Sequence, residues 1–127
     1  MFEKILLVED DEDMRNTLVS KLLTHHYEII QAEDGEQAVT KFYHHRPNLI
    51  ILDLLLPKLD GFGVMEKLRS KENEIPMVPI IILSNFSDQG RIERAQQMNV
   101  SDYMVKATTQ LDWVCQRVEQ LLQKPAA

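Results

Sequence analysis

Glu9 and Asp10, Asp53, Ser84 and Lys106 each follow directly on a short apolar run: Ile5-Leu6-Leu7-Val8, Leu49-Ile50-Ile51-Leu52, Ile80-Ile81-Ile82-Leu83 and Tyr103-Met104-Val105. If those runs end at one rim, three carboxylates, a hydroxyl and an ammonium share a cleft. Clustered carboxylates repel one another, so the arrangement asks for a hard cation. A site rich in carboxylates and poor in imidazoles favours Mg²⁺, which keeps several waters and takes one or two protein carboxylates. A metal, a lysine and a hydroxyl around one carboxylate suit a phosphoryl group. The metal and Lys106 would neutralise its oxygens, Ser84 would donate a hydrogen bond, and Asp53 would be the nucleophile that forms an aspartyl-phosphate. Taken alone, Asp53 reads equally as an Asp that ends a strand and caps a turn.

The elements must therefore bring these ends together. Leu49–Leu52 is apolar throughout and rich in branched residues, as expected of a strand buried on both faces. Ile5–Val8 and Ile80–Leu83 read the same way, whereas Tyr27–Ile30 and Tyr103–Val105 are more mixed. Amphipathic stripes alternate with these runs: Met14, Leu18 and Leu22; Ala38, Val39 and Phe42; Phe62, Met65 and Leu68; Ile92, Ala95 and Met98; and Leu111, Val114, Cys115, Val118, Leu121 and Leu122. Asp11 suits the cap of the first helix, with Glu12 and Asp13 at the positive end of its dipole. Asp34-Gly35 reads as a turn, Arg46-Pro47-Asn48 as a break, Lys71 to Pro76 as a polar loop, and Asn99 as a left-handed helix end. Five strand–helix repeats imply an α/β fold: a doubly wound parallel sheet with right-handed crossovers. The three most apolar strands belong in the centre, which strand order 2-1-3-4-5 satisfies. Ligands of such sheets bind outside the carboxyl ends of the strands, where the polar residues stand.

Composition narrows the classes further. The 127 residues suit one domain and carry 44% hydrophobic and 27% charged residues, with a formal charge of −6. That charge argues against direct nucleic-acid binding by this domain, since phosphate contacts need clustered Lys and Arg. The lone cysteine, Cys115, excludes an internal disulfide and points to a reducing, cytoplasmic setting. No apolar run approaches the roughly 20 residues of a membrane span. Residues 1–123 read as the domain and 124–127 as a tail or the start of a linker.

In order along the chain, Ile5-Leu6-Leu7-Val8-Glu9-Asp10, Leu52-Asp53 with Pro57 and Asp60-Gly61, Ile82-Leu83-Ser84, and Asp102-Tyr103-Met104-Val105-Lys106 resemble the receiver domain of bacterial two-component response regulators. The resemblance covers essentially the whole chain and implies the flavodoxin-like fold. It implies that Asp53 accepts phosphate from a histidine kinase or a histidine phosphotransfer protein. Glu9, Asp10, Asp53 and the backbone carbonyl of Leu55 would hold Mg²⁺, with Asp10 a direct ligand, and Ser84 and Lys106 would bind the phosphoryl oxygens. Tyr103 would be the switch aromatic that turns inward when Ser84 moves. The face of the fourth helix, fifth strand and fifth helix would then change shape, to control a downstream protein or a linked output domain, or to form a dimer.

The sequence departs from the family at several places. Ala107 follows Lys106, where most receivers have a cis proline; a cis bond before a non-proline residue costs about 2.5–4 kcal/mol, so a trans bond with a shifted loop or a strained cis bond is expected. Asn85 is larger than usual and crowds the path to the phosphoryl group. Leu55 and Phe86, two residues beyond Asp53 and Ser84, are apolar and cannot orient a hydrolytic water, so the phosphoryl group should be lost slowly. Two other functions compete: an Asp-nucleophile phosphohydrolase, which would want an acid at Leu55, and a degenerate receiver that binds partners without phosphorylation. His25-His26 and His44-His45 read as helix-end residues rather than metal pairs, since adjacent residues do not share a helix face. Cys115 reads as a small buried hydrophobe and Trp113 as exposed.

Overall fold

A computed structural model describes residues 2–69 and 78–123. The expected polar loop at 71–76 and the tail at 124–127 lie outside the described residues. Strands β1 (Lys4–Val8), β2 (Glu28–Ala32), β3 (Leu49–Leu52), β4 (Ile80–Ser84) and β5 (Asp102–Val105) alternate with helices α1 (Glu12–Leu23), α2 (Gly35–His45), α3 (Gly61–Arg69), α4 (Gln89–Gln97) and α5 (Leu111–Leu122). A 3₁₀ turn, Lys106–Thr108, precedes α5. The strands form one parallel sheet in the order β2-β1-β3-β4-β5, the flavodoxin-like arrangement, with the mixed strands at the edges.

The two-residue period of a strand divides the core into two layers. Leu6, Val8, Ile50, Leu52, Ile80 and Ile82 face one side and pack with Phe42 of α2, Phe62, Met65 and Leu68 of α3, and Ala95 of α4. Ile5, Leu7, Leu49, Ile51, Ile81 and Leu83 face the other side and pack with Leu18 and Leu22 of α1 and Val114, Cys115 and Val118 of α5. Helices on both faces leave the three central strands no solvent side, which is why they read as unbroken apolar runs.

β1, β4 and β5 each extend one residue beyond their apolar runs, to Lys4, Ser84 and Asp102, and two boundaries differ more from the sequence reading. The second strand runs from Glu28 to Ala32, paired residue for residue with Lys4–Val8, and Tyr27 stays outside the ladder. His26 beside it takes a left-handed backbone, φ 65°, which ends the α1–β2 turn. Asp34-Gly35 is a helix start rather than a free turn: Asp34 accepts the Gln37 amide as N-cap of α2. Asp11 caps α1 and Asp88 caps α4 in the same way. Asn99 is left-handed as its type suggested, and Trp113 is 43% exposed. All described peptide bonds are trans, Lys106–Ala107 included.

Candidate functional site

Each functional side chain inherits its place from the sheet register. β1 and β3 are neighbours with Val8 opposite Leu52, so Glu9 and Asp53 emerge side by side. The ladder continues one step further through the Asp53 amide, which donates to the Val8 carbonyl at 3.1 Å. Carboxylate oxygens of Glu9, Asp10 and Asp53 lie within 4.8 Å of one another. Glu9 and Asp53 are only 3% and 5% exposed, whereas Asp10 is open to solvent. Lys106, at the end of β5, reaches across β4: its ammonium donates to Asp53 Oδ2 at 2.8 Å and also pairs with Glu9 Oε1. The other Asp53 oxygen, Oδ1, accepts the Leu55 amide at 3.2 Å, so both oxygens are held. Leu55 meets the site through this N–H, and the residue is 63% exposed.

Ser84 is fully buried at the end of β4, and its hydroxyl accepts the Phe86 amide at 3.3 Å. Asp10, Asp11, Asp53, Leu55, Ser84, Asn85, Phe86 and Lys106 line a cleft of about 210 Å³. Tyr103 is half-buried against the α2/α3/α4 layer, and its hydroxyl donates to the Phe86 carbonyl at 2.6 Å. Burial pushes its phenol up, opposed by a hydrogen bond with Ser84.

Burial is also the main reason why the Glu9 carboxyl rises to about 7; Asp53 adds to the rise and Lys106 opposes it. Burial works to lower Lys106, but its contacts with Asp53 and Glu9 outweigh that and hold the ammonium above its ordinary value. Three carboxylates against one ammonium leave the cleft negative. The donor set is all oxygen, and its carboxylates are close enough to share one ion. It fits a hard divalent cation.

Three supports were not legible in the sequence. Arg15 is buried on α1, and its guanidinium donates to the Glu9 carbonyl at 2.8 Å, to Gln31 at 3.2 Å and to Glu33 at 3.4 Å. It fixes the backbone that carries Glu9 and Asp10. Its only sequence signal is its place on the Leu18 and Leu22 face, three and seven residues before them. Gly61 admits the Asp53 loop: a Cβ there would lie 2.5 Å from the Asp53 carbonyl oxygen. Gly35 admits the next part of that loop: a Cβ there would lie 1.8 Å from the Leu59 carbonyl oxygen.

The chain belongs to the response regulator receiver domain family, whose model matches residues 5–119. It is 42% identical over 104 residues to "Probable transcriptional regulator ycf27" of Porphyridium aerugineum, covering 82% of this chain and 42% of that protein. It is 37% identical over 106 residues to the alkaline phosphatase synthesis transcriptional regulatory protein PhoP of Bacillus subtilis, covering 84% and 43%. The chain thus spans under half the length of these relatives. Among solved structures, the BeF3-activated N-terminal receiver domain of Klebsiella pneumoniae RstA superposes with a TM-score of 0.86 at 26% identity, covering 96% of this chain and all of that one. The Mn(2+)-bound form of response regulator Rcp1 superposes with a TM-score of 0.80 at 26% identity, covering 98% and 97%. The protein is therefore a receiver domain of two-component signalling. No helix among the described residues is long and apolar enough to cross a membrane.

Proposed function

We propose that this domain is a Mg²⁺-dependent switch thrown by phosphorylation of Asp53. The observation that carries the reading is the pairing of Asp53 with Lys106 beside two further carboxylates in one cleft. Glu9, Asp10, Asp53 and the Leu55 carbonyl would hold the ion, which when bound neutralises phosphoryl oxygens and so favours transfer. The Mn(2+)-bound form of Rcp1 supports a divalent ion here. In the transfer, an Asp53 oxygen bonds to the phosphorus of a phosphohistidine as the N–P bond breaks, and the released imidazole takes up a proton from solvent. The donor is a histidine kinase or a histidine phosphotransfer protein. Lys106 keeps its charge on the phosphorylated residue, and Ser84 turns its hydroxyl from the Phe86 amide to a phosphoryl oxygen.

The readout follows from that turn. Phosphorylation adds roughly −1.5 to −2 charges at one point. Moving the Ser84 hydroxyl releases the Phe86 amide, whose carbonyl holds Tyr103. The α4-β5-α5 face shifts in consequence and addresses a downstream protein, a linked output domain or a second copy. The names of the relatives favour transcriptional control as the output. Addition of beryllofluoride with Mg²⁺ tests the reading. Amide NMR shifts should spread from Asp53 through residues 84–88 to Tyr103, and Asp53→Ala should abolish them. An unchanged spectrum would instead favour a receiver that binds partners without phosphorylation.

A further inference from the structure

The sheet carries β1 as far as the Glu9 amide. Its last rungs are the Asp53 amide on the Val8 carbonyl, at 3.1 Å, and the Glu9 amide on the Ala32 carbonyl, at 3.0 Å. The next carbonyl, that of Glu9, belongs to the peptide leading into Asp10, and a side chain holds it: Arg15 Nη1 donates to it at 2.8 Å. Arg15 is only 8% exposed, and its guanidinium is fixed in turn from the β2 side. Nε donates to Gln31 Oε1 at 3.2 Å and Nη2 to Glu33 Oε1 at 3.4 Å. A planar fork bonded in three directions keeps one orientation. The Asp10 side chain is open to solvent, so the direction of its carboxylate follows from the peptide before it.

From this geometry we infer that Arg15 is a positioning residue for the metal: by holding the Glu9 carbonyl it aims the Asp10 carboxylate at the ion and so sets the affinity for Mg²⁺. The inference rests on the reading of the cleft as a Mg²⁺ site and deepens it, since part of the affinity comes from a residue that bonds to the backbone between the acids. Mg²⁺ demands near-ideal octahedral geometry, so a tilted Glu9–Asp10 peptide weakens its hold. Groups that orient metal ligands in this way are typically worth 10–100-fold in affinity. The sign separates positioning from charge. A buried cation near the acids repels Mg²⁺, so by charge alone its removal would tighten binding. Positioning predicts that removal weakens it.

The test is a titration with Mg²⁺ followed by amide NMR. Arg15→Met should lower the affinity about tenfold, and Arg15→Lys, which keeps a donor for the Glu9 carbonyl, should recover most of the loss. In the metal-free protein Arg15→Met should already move the Asp10 amide resonance, because that N–H belongs to the peptide whose carbonyl Arg15 holds. Leu18→Val loosens the packing of the same face of α1 without touching that peptide, and it should bind Mg²⁺ as the wild type does. If Arg15→Met does not fold, Gln31→Ala carries the test: freeing the guanidinium on the β2 side should lower the affinity about threefold. Unchanged or tighter binding in Arg15→Met, or in Gln31→Ala where that variant carries the test, overturns the positioning role and leaves the switch intact. So does an equal loss in Leu18→Val, which would mean a general loosening of α1. A wild-type domain that binds no Mg²⁺ overturns both.

Discussion

At the residue scale the site is governed by crowded charge. Glu9 lies so deep that its carboxyl holds a proton until about pH 7 in the metal-free protein. A divalent ion must displace that proton. Mg²⁺ affinity should therefore rise by about tenfold per pH unit below pH 7 and level off above it. Calorimetry in two buffers of different ionisation enthalpy should find about one proton released per ion at pH 6 and close to none at pH 8. Affinity that is flat from pH 6 to 8 would contradict the protonated Glu9. Lys106 is the counter-charge for two buried carboxylates, with only 10% of its side chain exposed. Lys106→Met should cost on the order of 3 kcal/mol in urea unfolding without metal, and less with Mg²⁺ present. An unchanged midpoint would mean that Lys106 is not the counter-charge.

At the scale of elements, the loop between β3 and α3 is seated by glycines. Gly61→Ala pushes a methyl group against the Asp53 carbonyl and the Leu54 backbone, neither of which can swing away. It should destabilise the domain by about 1–3 kcal/mol and weaken Mg²⁺ binding together with it. Retained affinity with lowered stability would show that the loop moves without carrying Asp53. Among the helices, α4 buries only Ala95 among its described residues, whereas α3 buries Phe62, Val64, Met65 and Leu68 along with Gly61. Surface contacts also hold it: Arg91 over Phe86, Arg94 over Phe62, and Arg94 with Glu66. Amides of α4 should therefore exchange with solvent well before those of α3. Equal protection of the two helices would argue against α4 as the movable part of the switch.

Across the whole molecule, the strands and their order were legible because the central strands are buried on both faces and leave unbroken apolar runs. The polar residues that end them marked the cleft for the same reason: parallel strands finish at one rim. What stayed hidden depends on contacts distant in sequence. Arg15 shares the face of Leu18 and Leu22, but its role appears only when the fold brings Gln31 of β2 and Glu33 just after it beside the guanidinium. Gly35 and Gly61 look like turn residues until the loop carrying Asp53 presses on them. Phe86 was legible as an apolar neighbour of the cleft, but not as a residue held by Ser84, Tyr103 and Arg91 at once, because those three come from separate elements.

The central claim is that Asp53 is the phosphoacceptor, and the most direct test is chemical. The domain is incubated with phosphoramidate and Mg²⁺, and the modified residue is located by mass spectrometry. One phosphoryl group should appear on Asp53, disappear when a chelator replaces Mg²⁺, and be absent from Asp53→Asn. No label, or a label that persists in Asp53→Asn, would contradict the account.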